Sequence, residues 1–177
     1  MEKPYKTILE SAEDEFVEKK SRFIAYTSPV HTVEEANAFI AGIRQRHWDA
    51  THNVPAFVLR SGVQRSSDDG EPGGTAGMPV LDVLLKSGVQ DVCVVVTRYF
   101  GGILLGAGGL VRAYSSAVKE GIDASKIGTM RYGVRLKICT DYNGIGKIQY
   151  ILRQNGLEAA ILKKAGAGTV IFGVCEK

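Results

Sequence analysis

Apolar positions set out a block in which strand and helix rhythms alternate, and near residue 129 the pattern restarts. Residues 1–15 are charged and weakly patterned, which suggests a loose lead-in or an edge strand. Phe16 to Thr27 then alternates as a half-buried strand does, with Phe23 and Ala25 set against Arg22 and Ile24, and with Lys19, Lys20 and Arg22 at or near its exposed face. Thr32-Val33-Glu34-Glu35 is a capping box, and Ala36, Phe39, Ile40 and Ile43 behind it predict an amphipathic helix to about Arg46. A strand is predicted over Thr51 to Arg60, with Pro55 favouring an edge or a bulge, and a loop over Ser61 to Gly74.

Pro79 fits only a first helical turn, so a second helix starts near Met78 and runs through Leu81, Leu84 and Leu85 to a stop at Gly88. Val92 to Thr97 is an apolar run, as expected of a strand covered on both faces. Leu110, Tyr114, Ala117 and Val118 mark a third helix closed by Gly121, and Lys126 to Met130 reads as a linker. In the second block, Arg131 to Thr140 alternates, Gly146 to Gln154 carries a helical stripe, and two further strands span Glu158 to Leu162 and Thr169 to Val174. This β-α-β-β order is two thirds of a ferredoxin-like unit, so truncation, or completion by another chain, is expected. The organisation is α+β, with one domain over 1–128 and a smaller one over 129–177.

Composition changes this picture in three ways. The 177 residues, 45% hydrophobic, suffice for a sizeable core, and neither a signal segment nor a membrane-length apolar run is visible, so a cytoplasmic protein with no membrane partner is expected. Cys93, Cys139 and Cys175 form no CxxC pair and read as reduced, apolar side chains. The net charge of +3 is uneven: residues 1–128 carry 14 Lys+Arg against 16 Asp+Glu, a balance of −2, whereas 129–177 carry 8 against 3, a balance of +5.

Candidate chemistry gathers between Ser67 and Glu120. Two helices open after glycine pairs, Gly73-Gly74 and Gly108-Gly109, where free N–H groups can cradle a phosphate or carboxylate beside Arg98 and Arg112. The alternative is that these glycines serve tight turns and close packing, since there is no Gly-Lys-Ser/Thr and Val111 stands where a dinucleotide fingerprint needs a small residue. Asp68, Asp69 and Glu71 either hold Mg²⁺ or cap amides and pair with Arg65, Arg98 or Arg112. His52 could act as a general base or ligand but has no second ligand nearby in sequence, while His31 and His47 look solvated. Cys93 lies in an apolar run and reads as inert, and Ser115-Ser116 lack the Gly-x-Ser-x-Gly elbow. Tyr99 and Phe100, beside Arg98, suit stacking on a base, docking of a partner, or simple core packing.

Asp68-Asp69-Gly70-Glu71-Pro72, Gly74-Thr75-Ala76-Gly77 and Val95-Val96-x-Arg98-Tyr99-Phe100-Gly101-Gly102-Ile103-Leu104-Leu105-Gly106 resemble the IMPACT family, also called YigZ-like, in its bacterial two-domain form. Lys20-Ser21-Arg22-Phe23-Ile24 and Thr51-His52-Asn53 match the same pattern. The resemblance implies an N-terminal two-layer α/β domain similar to domain IV of elongation factor G, and a C-terminal ferredoxin-like domain similar to its domain V. It points to a regulator of translation that binds RNA, the ribosome or a translation-related protein. The kinase-linked role of eukaryotic members depends on an additional domain and does not carry over. A proline-dipeptidase label also used in the family lacks support, because a two-metal peptidase needs several clustered ligands. Binding residues expected on this reading are Lys20, Arg22, His52, Asp68, Asp69, Glu71, Gly74, Arg98, Tyr99, Gly101, Gly102 and Arg112, with no cofactor, metal or catalytic residue assigned. A protein-binding module, or an enzyme acting on an anionic small molecule through Asp68, Asp69 and His52, are the alternatives.

Overall fold

The computed structural model of the protein describes residues 3–141, 143–157, 159–165 and 168–176. Two units divide it, Tyr5–Met130 and Arg131–Lys177 with Met1–Pro4. The first contains β1 (Tyr5–Ile8), β2 (Ala12–Glu18), β3 (Ser21–Pro29), α1 (Val33–Arg46), β4 (His52–Val58), β5 (Gln64–Ser66), α2 (Gly77–Ser87), β6 (Val92–Tyr99), α3 (Ala107–Ala124) and β7 (Ile127–Met130). Five strands form an antiparallel sheet in the order β2-β3-β6-β4-β5, and the apolar β6 takes its centre.

That strand is apolar on both faces because both are covered. Val92, Val94 and Val96 join the core beneath α2 and α3, whereas Cys93 and Val95 pack with Ala36, Ile40 and Ile43 of α1. The α+β class therefore stands, with the sheet as a middle layer between helices rather than one of two layers. Burial pushes the Cys93 thiol up to about 12, which leaves it a small apolar side chain. The α1 start follows the capping signal: Thr32 Oγ1 accepts from the Glu35 N–H at 3.2 Å, while the Glu35 carboxylate reaches one residue further back, to the His31 N–H. At the end of α2, Gly88 adopts φ 70°, a left-handed stop.

Elsewhere the chain departs from the expected elements. Phe16 to Thr27 is two strands, because Lys19 and Lys20 take φ 46° and 64° and form a two-residue turn of the type usually signalled by Asn-Gly. The lead-in and the expected linker pair as β1 and β7. Gln64–Ser66 pairs with β4 inside the expected loop, and Pro55 turns its carbonyl toward the N–H of Ser67 beyond that short edge strand. Gly121 lies within α3 instead of ending it, since a Cβ there would come 2.9 Å from that of Ala25.

His47 also differs, being buried where the sequence suggested solvent. Its Nε2 accepts from Tyr26 Oη at 2.7 Å, its Nδ1–H donates to Tyr99 Oη at 2.9 Å, and that hydroxyl donates to Asp49 at 3.1 Å. A neutral imidazole protonated at Nδ1 completes this one-way chain. Burial, and then the Arg46 charge, hold the His47 pKa below its ordinary value. Because the folded value is the lower one, the unfolded chain takes up the proton first. Folding stability is expected to fall as pH drops below roughly 6.5 and to level off under the folded pKa. Urea titrations at a series of pH values should show this dependence weakened in His47→Gln.

The second unit contains β8 (Gly133–Thr140), α4 (Gly144–Gln154), β9 (Ala159–Ala165) and β10 (Gly168–Glu176). Its antiparallel order β8-β10-β9 inserts the last strand between the first two, as a split β-α-β arrangement requires. Cys139 and Cys175 fall on β8 and β10, with side chains outside the described set.

Candidate functional site

The register of β4 against β6 sets His52 opposite Arg98 at one end of the sheet. Glu71 enters from the turn before α2, and its Oε1 accepts from Arg98 Nη1 at 2.7 Å and from Tyr114 Oη at 2.7 Å. All three side chains are buried. The guanidinium lies 5.6 Å from the Phe23 ring and 5.5 Å from the Phe100 ring, and Nη2 donates to Ser21 Oγ at 3.4 Å. Burial first, and then the bond to Glu71, push the Tyr114 phenol far above its usual range. Of the two readings of Arg98, a charge displayed beside a helix start or a partner for the acid cluster, the second holds. Its charge is committed inward to Glu71.

The other oxygen of Glu71, Oε2, is 3.7 Å from His52 Nε2. On the far side of the ring, His52 Nδ1–H donates to the Asp69 carbonyl oxygen at 2.7 Å, which holds the ring with Nε2 facing Glu71. Asp69 holds this carbonyl in place from a left-handed conformation of φ 48°, with its carboxylate bonded to Arg44 and to the Asn53 N–H at 2.6 Å each. Asp68 has a separate task. Its carboxylate accepts from the N–H groups of Gly74, Ala76 and Gly77 at 2.8, 3.1 and 2.7 Å. Burial alone would raise the Asp68 pKa, but these bonds outweigh it and hold the carboxyl below its usual range. The three acids thus serve three different partners, and among the described residues no group of three or more His, Cys, Asp or Glu could hold a metal ion.

Of the two expected cradles, the start of α2 is already occupied by Asp68. The start of α3 carries no side-chain cap. A cleft of about 360 Å³ opens beside it, and its lining includes His52, Glu71 and Arg98 together with the apolar Phe100, Leu104 and Leu110. Leu105 also borders a second hollow of about 260 Å³, whose lining includes Lys19, Arg112 and Ser116. Arg112 is exposed, as are Lys19 and Lys20, and Leu104 is 82% exposed.

The structure brings His52, Glu71, Arg98 and Arg112 to the end of the sheet around the loop that contains Gly101 and Gly102. Lys20 reaches it through its backbone, since Gly101 packs directly on the Lys20 peptide. Tyr99, Arg22, Asp68 and Gly74 do not join the cleft. Tyr99 faces His47 and the opposite core, Arg22 pairs with Glu15 and lies near the Tyr99 ring, and Asp68 and Gly74 sit at the α2 start. Residue patterns alone missed Lys19 and the polar role of Tyr114. The hydroxyl of Tyr114 was invisible because helical spacing marks the residue only as core.

Residues 19–122 match the Impact N-terminal domain. The chain belongs to the IMPACT family. IMPACT family member YvyE of Bacillus subtilis is 47% identical over 153 residues, which cover 85% of this chain and 70% of that protein. IMPACT family member YigZ of Escherichia coli is 47% identical over 108 residues, covering 59% of this chain and 53% of its own length. A solved structure described as a hypothetical protein aligns with a TM-score of 0.72 at 32% identity, covering 99% of this chain and 86% of its own. Among the described residues, no helix is long and apolar enough to cross a membrane.

Proposed function

We propose that this IMPACT family protein is a regulator of translation and that it acts by binding RNA, on or near the ribosome, through the surface around the loop between β6 and α3. The link to translation follows the family resemblance. The choice of RNA is carried by one observation: an uncapped helix start and the exposed Arg112 and Lys19 adjoin, across Leu105, an apolar cleft edged by Phe100 and Leu104. Phosphates suit the first and an unstacked base the second. Arg98 contributes by shaping the cleft, because its charge is already matched by Glu71.

A second reading is favoured by the exposure of Trp48 at 83% and of Phe100, Ile103 and Leu104, which suit a protein partner. The two separate in a pull-down from lysate with and without nuclease. RNA recognition predicts that the captured material is mainly RNA or ribosomal and is lost after nuclease. A protein partner retained unchanged after nuclease would replace that reading. An enzyme acting on an anion is less well served, since Asp68, Asp69 and Glu71 are all engaged.

A further inference from the structure

We propose that the outer edge of β2 takes up a basic, extended segment of a protein partner as an added strand. β2 ends the five-stranded sheet, and among the described residues it pairs only with β3. The two-residue turn at Lys19-Lys20 makes Glu18 and Ser21 a hydrogen-bonded pair, and from there bonded and non-bonded pairs alternate along the hairpin. Glu18, Phe16 and Asp14 therefore turn their backbone groups toward β3. Glu13, Glu15 and Val17 turn theirs outward, and all three are exposed.

One of these outward amides shows that an acceptor fits at the edge. The Glu15 N–H donates to the carboxylate of the preceding residue, Asp14, at 2.8 Å. That oxygen takes the part which the carbonyl of a neighbouring strand would play, and an arriving backbone would release it. An extended peptide laid along such an edge gains main-chain hydrogen bonds, while its alternate side chains decide which peptide is accepted.

Charge selects the occupant. Ala12–Glu18 reads AEDEFVE, with four acids and no base. Glu13 and Glu15 are paired with Arg46 and Arg22, but among the described residues Asp14 and Glu18 have no ion pair. A second copy added through the same strand would set acids against acids, and the phosphates of RNA would be repelled as well. Asp14, Phe16 and Glu18 point to one face of the sheet, where Phe16 is half-buried and stacks on Phe23. On the other face Val17 is 63% exposed. A fitting segment therefore carries a basic, an apolar and a basic residue at every second position, opposite Glu18, Phe16 and Asp14.

The test is an NMR titration of the full chain at low salt with the acetylated, amidated peptide Thr-Lys-Thr-Val-Thr-Lys-Thr, whose symmetry lets it lie in either direction. Binding should slow hydrogen exchange at the amides of Glu13, Glu15 and Val17, with little change at Asp14, Phe16 and Glu18, which β3 already protects. The same peptide N-methylated throughout keeps its charge, cannot pair, and should not bind. Asp14→Lys with Glu18→Lys should weaken binding about tenfold or more. Val17→Pro, which removes one outward N–H and none that bonds β3, should weaken it about threefold or more, and if that variant does not fold the exchange pattern of the wild type decides alone. No binding at low salt, equal binding of the N-methylated peptide, or slowing spread evenly along β2 overturns the proposal. Slowing at the same three amides as protein concentration rises without peptide would make the occupant a second copy and overturn it too.

Discussion

Replacing Glu71 with alanine is expected to lower the unfolding free energy by about 3–5 kcal/mol, the usual cost of leaving one member of a buried ion pair uncompensated. Arg98 is the member left behind. Its guanidinium is buried between Phe23 and Phe100, and without Glu71 its remaining side-chain bond is the 3.4 Å contact to Ser21. Tyr114 Oη would lose its acceptor as well. Urea denaturation should show the midpoint shifted without a matching change in slope. The paired variant Glu71→Leu with Arg98→Met should recover most of the loss, because replacing both partners by apolar groups removes the stranded charge. A loss under 1 kcal/mol for Glu71→Ala would mean that the pair is not buried in solution.

Gly101→Ala is expected to destabilise by about 1–3 kcal/mol, the ordinary cost of overpacking. A Cβ at this position would overlap the Lys20 carbonyl group, which is backbone and has no rotamer to change. The turn at Lys19-Lys20 would have to move, and with it the hydrogen bond from the Gly101 N–H to Ser21 Oγ at 3.2 Å. Gly73→Ala is the control. Nothing lies within 4 Å of its added methyl, so its effect should stay within about 0.5 kcal/mol. Thermal or urea denaturation of the two variants side by side decides the matter, and equal stability would contradict the close contact.

What the sequence made legible was local. The both-face burial of β6 can be read from an apolar run, the α1 start from four consecutive residues, and the α2 end from a single glycine. What it concealed depends on partners far apart along the chain, or on conformations without a residue signature. Nothing in Lys19-Lys20 announces two left-handed residues, so the hairpin was read as one strand. The β1 and β7 strands have four residues each, too few to show a period, and they meet across the whole length of the unit. His47 gained its burial from Tyr26 and Tyr99, which lie 21 and 52 residues away.

The site was legible to the same extent. His52, Glu71, Arg98 and Arg112 stood out as chemistry-bearing residues, but their division of labour did not. That Arg98 turns inward follows from the cross-strand position it shares with His52 and from the aromatic rings around it. That Asp68 blocks the start of α2 follows from a turn which brings its carboxylate back to three amides. Neither is a property of the residue type.

The central claim is that the exposed cations beside the α3 start hold the backbone of an RNA chain. Its most direct test is the salt dependence of single-stranded RNA binding by the wild type, Lys19→Ala and Arg112→Ala. Affinity should fall steeply as salt rises, and each variant should flatten the slope of log K against log salt by about 0.7–1. Slopes identical to the wild type in both variants, or no binding at low salt, would contradict the account.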